Sequence, residues 1–138
     1  MDIYSYITDK FEIEKKDIKT YSPLTLAFIG DEIYDLVVRS VVVAKGNTAP
    51  NKLHARCAAV VKAASQAKLA DRFLDEGIFT EEESEIYRRG RNANPHTTAK
   101  NASHSDYRKA TGLEAVIGYL YIIGDFDRVV ELVSMADI

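Results

Sequence analysis

The stretch Ser22-Pro23-Leu24-Thr25-Leu26-Ala27-Phe28-Ile29-Gly30-Asp31-Glu32-Ile33-Tyr34-Asp35-Leu36-Val37 decides the fold class. Its apolar residues recur at helical spacing, at Leu24, Phe28, Ile29, Ile33, Leu36 and Val37, and continue to Val43. Ser22 offers a capping oxygen, and Pro23 suits a first helical position, where its missing N–H has no partner to lose. Gly46 follows as the stop, expected in the left-handed conformation.

Working outward, the same periodicity fills most of the chain. A short first helix falls within Ile3 to Phe11. A third runs from about Pro50 to Asp75, lined by Leu53, Val60, Val61, Ala64, Ala67 and Leu69, and is stopped by Gly77. A fourth opens with Thr80-Glu81-Glu82-Glu83, a capping box whose acids also suit the positive end of the helix dipole. It fades near Gly90. Residues 91–105 form one long irregular stretch, a length that inside a compact domain points to function. A fifth helix spans about Asp106 to Ile123, and Asp125 caps a last one to about Met135. The expectation is an all-α domain of five to seven helices over residues 1–138.

Composition fits a soluble globule: 138 residues, 46% hydrophobic and 28% charged. The single cysteine, Cys57, excludes a disulfide framework and a multi-cysteine zinc site, and reads as a small apolar residue. No stretch reads as a membrane span or a signal peptide, so a cytoplasmic protein without membrane partners is expected. The net charge of −3 argues, taken whole, against a nucleic-acid partner. The distribution says otherwise. Between Arg88 and Lys109 stand Arg88, Arg89, Arg91, Lys100, Arg108 and Lys109 against one acid, Asp106. Six cations less one acid give +5 there, which leaves −8 for the rest. A basic segment on an acidic body is a local electrostatic footprint.

Two carboxylates stand out by context. Asp31 lies in an otherwise apolar run, and Glu114 lies in Thr111-Gly112-Leu113-Glu114-Ala115-Val116-Ile117-Gly118. Acids rarely face a core unless paired, hydrogen-bonded or bound to metal. Gly30 precedes one, and Gly112 and Gly118 bracket the other. Helix glycines cost roughly 0.5–1 kcal/mol each against alanine, so these suggest close helix approach or a ligand near the backbone. Two helices crossing here would place hard oxygen ligands suited to Mg²⁺. On the residues alone, exposed helix acids or core ion pairs remain open. Asp35 with Arg39, at i and i+4, is such an ordinary pair. Glu32 is expected on a solvent face, and His54 on a helix surface or core edge.

Leu26-Ala27-Phe28-Ile29-Gly30-Asp31 resembles the signature helix of the ribonuclease III family, and Thr111 to Gly118 resembles that family's second carboxylate helix. Arg89-Gly90-Arg91-Asn92-Ala93, Ala99-Lys100-Asn101 and Tyr107-Arg108-Lys109-Ala110-Thr111-Gly112 resemble its compact bacterial branch, mini-ribonuclease III. That branch has the catalytic domain and no separate double-stranded-RNA-binding domain. The likeness runs from about Tyr21 to Tyr121. It implies an all-α homodimeric endonuclease that cleaves double-stranded RNA with Mg²⁺, its substrate the large-subunit (23S) ribosomal RNA precursor, with a ribosomal protein as a candidate partner.

Asp31 matches the family's catalytic aspartate and Glu114 its metal-binding glutamate. Further family acids are here Leu24, Ala27 and Thr111, so fewer metal ligands are available and a single Mg²⁺ is the expectation. The basic segment then becomes the RNA grip. Arg88, Arg91, Lys100 and Arg108 would neutralise phosphates, and Asn92, His96, Thr97 and Asn101 would bond sugar or phosphate oxygens. The lost acids keep two other readings in view: a catalytically inactive ribonuclease III-like module that binds structured RNA, and a helical protein-interaction domain.

Overall fold

The computed structural model describes residues 2–93 and 103–138. Within them lie seven α-helices, one 3₁₀ turn at Ile18–Thr20 and no strand. The helices are α1 (Ile3–Lys10), α2 (Pro23–Lys45), α3 (Pro50–Val61), α4 (Ala63–Asp75), α5 (Glu81–Asn92), α6 (His104–Ile122) and α7 (Phe126–Val133). Among these described residues, no helix is long and apolar enough to cross a membrane.

The caps sit where the sequence puts them. Ser22 accepts from the Thr25 N–H at 3.1 Å. Thr80 and Glu83 form the reciprocal capping box, and Asp125 accepts from the Arg128 N–H. Gly46 does end α2, but with φ 152° and ψ 150° it leaves in an extended, glycine-tolerated conformation, not a left-handed turn.

The expected third helix is two helices. Lys62 stands between α3 and α4 with an extended backbone, φ −62° and ψ 152°. No glycine or proline marks this break. It is held by side chains of the next turn: the Ser65 hydroxyl donates to the Ala59 carbonyl at 2.7 Å, and Gln66 Nε2 donates to the Val61 carbonyl at 2.9 Å. These serve the carbonyls that a helix end leaves without partners. Ala63-Ala64 are good helix formers, so the sequence itself marks no break here.

The ends of the irregular stretch are also shorter than expected. α5 carries on to Asn92, and α6 begins at His104. Its acids at the front and Arg89 and Arg91 in its last turn suit the helix dipole at both ends.

α6 is the core helix. Every residue from Ala110 to Tyr121 is buried except Glu114, which is half-buried. α2, α4 and α5 pack around it. Glycines set two of these crossings. A Cβ on Gly118 would stand 1.9 Å from the Leu26 carbonyl oxygen, and one on Gly90 would stand 2.9 Å from Gly112 Cα. Backbone meets backbone at both places, which only glycine allows. Cys57 is buried in the core cluster, as a small apolar residue would be. α7 is latched to α5 by Arg128, which donates to both Glu83 oxygens at 2.8 and 2.9 Å and to the Ile78 carbonyl at 2.8 Å.

Candidate active site

The site forms where α2 crosses α6. Gly30 and Gly118 bring the two backbones together, and the carboxylates beside them, Asp31 and Glu114, meet at the crossing. Asp31 is exposed and Glu114 half-buried. Asp31 lies close enough for its charge to act on the Glu114 carboxyl. Burial first, and the neighbouring Asp31 charge second, push the Glu114 carboxyl up to about 8. Near neutrality Glu114 therefore keeps its proton.

Two neighbours that no sequence motif marks shape this pair. Gln66 on α4 is 2% exposed and its Nε2 donates to Glu114 Oε2 at 3.3 Å. That bond favours the ionised form and partly opposes the upward shift. Tyr34, one turn beyond Gly30 on α2, is buried, and its hydroxyl is pushed up to about 12 by burial and by the nearby Glu114. It stays a neutral phenol. Gln66 was invisible because the helix break that aims it was invisible.

The positions of the missing family acids are occupied by packing. Ala27 is buried and Leu24 half-buried on the Asp31 side of α2. Thr111 is buried and its hydroxyl donates to the Tyr107 carbonyl at 2.9 Å, a bond within its own helix. Asp35 pairs with Arg39 at 2.8 Å, as its spacing suggests, and Glu32 is exposed. Beside Asp31, between α2 and α3, opens a cleft of 280 Å³ lined also by Asp35, Arg39 and His54. Among the described residues, no three His, Cys, Asp or Glu side chains gather to hold a metal ion. The protein thus offers a cation two carboxylates, and water and phosphate would complete its shell.

Of the expected RNA contacts, Arg88, Arg91 and Asn92 lie on the last turns of α5, and Arg108 lies near the start of α6. Arg88 and Arg108 are exposed. Arg88 is already paired with Glu85 at 2.6 Å, and Arg91 sits 5.9 Å from the Tyr87 ring centre. Lys109, also in the basic segment, is held by Asp71 at 2.9 Å. His96, Thr97, Lys100 and Asn101 fall outside the described residues.

The chain is similar to known proteins. The model of the ribonuclease III domain matches residues 24–125. Relatives named Mini-ribonuclease 3 include one from Streptococcus pneumoniae, 46% identical over 86% of this chain and 92% of its own. Another, from Clostridium tetani, is 41% identical over 90% of this chain and 82% of its own. A crystal structure of a Fusobacterium nucleatum protein superposes with a TM-score of 0.77 at 30% identity, covering 88% of this chain and 95% of that one.

Proposed function

The chain belongs to the ribonuclease III family and is an endoribonuclease of double-stranded RNA, and from that premise we propose that Asp31 and Glu114 are its catalytic pair and together hold one Mg²⁺. A single observation carries this reading. Two carboxyls are forced together at a glycine crossing, with no cationic side chain among those that set the Glu114 charge. A proton fills that role near neutrality. A divalent cation fits the same pair better, because both ligands are hard oxygens and both can then ionise.

When bound there, Mg²⁺ supplies Lewis acidity toward a phosphodiester and lowers the pKa of a water. The chain's own residues do the rest. Asp31, which faces solvent, would hold the cation on the side open to a phosphodiester. Glu114 would hold it from the half-buried side. Arg91, Asn92 and Arg108, with Arg88 and the expected His96, Thr97, Lys100 and Asn101, contact phosphates and sugars of the duplex. The substrate proposed is the 23S ribosomal RNA precursor, supported by the likeness to the compact branch. A ribosomal protein is the candidate assisting partner, and the cytoplasm the place of action.

The acting unit proposed is a homodimer. Phe28 is 78% exposed, the most exposed large apolar side chain among the described residues. At the same end of α2, a groove of 550 Å³ is floored by Tyr21, Leu26, Ile86 and Tyr119. A two-fold arrangement would seat each Phe28 on the partner copy and set two catalytic pairs across one duplex.

The decisive experiment is Asp31→Asn. Losing several kcal/mol of metal-ion stabilisation, at about 1.4 kcal/mol per decade, lowers cleavage of duplex RNA by about a thousandfold. Folding and RNA binding are expected to persist. Cleavage at the wild-type rate would remove Asp31 from the mechanism. A wild-type protein that shifts duplex RNA without cutting it in Mg²⁺ would leave the binding-module reading instead.

A further inference from the structure

Gln66 carries a feature that packing alone does not explain. It is 2% exposed, and its Oε1 has no hydrogen-bond partner among the described residues. An apolar side chain of similar volume would fill the same space without stranding a polar atom. The carboxamide is kept for its other end.

That other end is fixed in orientation. Nε2 lies 2.9 Å from the Val61 carbonyl and 3.3 Å from Glu114 Oε2. The Val61 carbonyl can only accept. Turning the amide over would set Oε1 against that carbonyl oxygen, two acceptors face to face. The carbonyl at the end of α3 therefore dictates that Gln66 shows Glu114 a donor. The carbonyl is available only because the helix breaks at Lys62. The break between α3 and α4, the buried glutamine and the orphaned oxygen are then one device.

Resting on the assignment of Asp31 and Glu114 to the cation, we propose that Gln66 is a positioning residue for metal binding: locked by the Val61 carbonyl, it donates to Glu114 Oε2 and holds that carboxylate as a ligand facing Asp31. It touches neither RNA nor the reacting atoms. Such partners of a ligating group typically govern metal affinity by about 10–100-fold.

The test uses the full chain carrying Gln66→Met, close in volume and without a donor. Mn²⁺ binding to the metal-free protein is measured by calorimetry, and the Mg²⁺ concentration for half-maximal cleavage is measured separately. The expected result is an affinity for Mn²⁺ weaker by about 10–100-fold and a matching rise in the Mg²⁺ requirement. The affinity for duplex RNA in chelator stays unchanged. A folded variant with metal affinity within about twofold of wild type overturns the proposal. Where the variant does not fold, the wild-type side-chain amide of Gln66 decides by NMR. Its two protons should exchange slowly and shift on adding Mg²⁺; fast exchange with no response overturns the proposal. Asp31→Asn separates the two levels. If it abolishes Mn²⁺ binding while Gln66→Met does not, only the role of Gln66 fails. If Asp31→Asn also leaves Mn²⁺ binding intact, the cation site itself is elsewhere.

Discussion

The backbone of Glu114 occupies the space that a side chain at residue 30 would need. A Cβ on Gly30 would stand 1.7 Å from the Glu114 carbonyl oxygen and 2.7 Å from its carbonyl carbon. Neither atom is the end of a flexible side chain, so the helices themselves must separate to admit a methyl group. Separation also parts Asp31 from Glu114, because each is fixed to one of the two backbones.

Gly30→Ala is therefore expected to cost about 3 kcal/mol, the upper end of the usual overpacking penalty, and to abolish cleavage even under conditions where the protein stays folded. Gly77→Ala is the contrast. Gly77 has open space around it and a φ of +65°, so alanine there meets only backbone strain of about 1 kcal/mol and leaves the site alone. Urea midpoints and duplex cleavage of the two variants give the comparison. Equal behaviour would mean that the crossing does not hold the site.

Much of this was legible because it rests on local chemistry. Ser22, Thr80 and Asp125 cap their helices from residues within one turn, and caps are local events. The glycine at residue 30 beside an acid, and the glycines around Glu114, pointed to close helix approach or a ligand near the backbone, and the first is what the fold shows. The break at Lys62 was not legible. Its stabilising bonds come from Ser65 and Gln66 side chains, and Gln66 is held in place by Glu114, 48 residues away. A run of good helix formers cannot report a partner that only the tertiary fold supplies. The same holds for Lys109, whose charge is held by Asp71, 38 residues away. A count of cations along the chain could not show which were already paired.

The raised Glu114 carboxyl sets a pH dependence of stability. In the unfolded chain an ordinary glutamate loses its proton near pH 4.3; in the fold, Glu114 keeps it to about 8. Across that window the native state binds one more proton than the unfolded state, so stability falls as pH rises. The contribution is fully present below the unfolded value and gone once pH passes the folded one. In chelator, the metal-free protein is expected to be more stable near pH 5 than near pH 8 as far as this site is concerned. Glu114→Gln should flatten that slope. Because a cation competes with the proton for the pair, Mg²⁺ should stabilise the wild type most at the alkaline end, and the Mg²⁺ needed for cleavage should rise as pH falls. Denaturation series at several pH values, with and without Mg²⁺, measure both. A slope unchanged by Glu114→Gln would place the shifted proton on another group.

Phe28 tests the assembly. A large aromatic side chain 78% exposed is a costly arrangement for an isolated chain and a usual anchor for an interface. Phe28→Asp is expected to convert a dimer into a monomer, since an anchor of this kind is worth about 2 kcal/mol or more in each of its two symmetric copies. Val130→Asp, at an apolar position 41% exposed on α7, should leave the assembly unchanged. Sedimentation equilibrium of the two variants reads the difference. A Phe28→Asp protein that stays dimeric moves the seam to another face.

The basic segment divides by what its charges already hold. Arg108 is exposed and Arg91 lies over Tyr87, and neither is in an ion pair among the described residues. Arg88 shares its charge with Glu85. Phosphate contacts release counterions, so each one adds to the steepness with which duplex affinity falls as salt rises. Arg91→Ala and Arg108→Ala should each weaken duplex binding and reduce the log–log salt slope by about 1 per protomer. Arg88→Ala should change the slope less, because the Arg88 charge is already shared with Glu85. Binding measured over a salt series in chelator, so that no RNA is cut, separates these cases. Slopes unchanged in both Arg91→Ala and Arg108→Ala would take the duplex off this end of α5 and α6, and with it the reading of the local charge of +5 as an RNA grip.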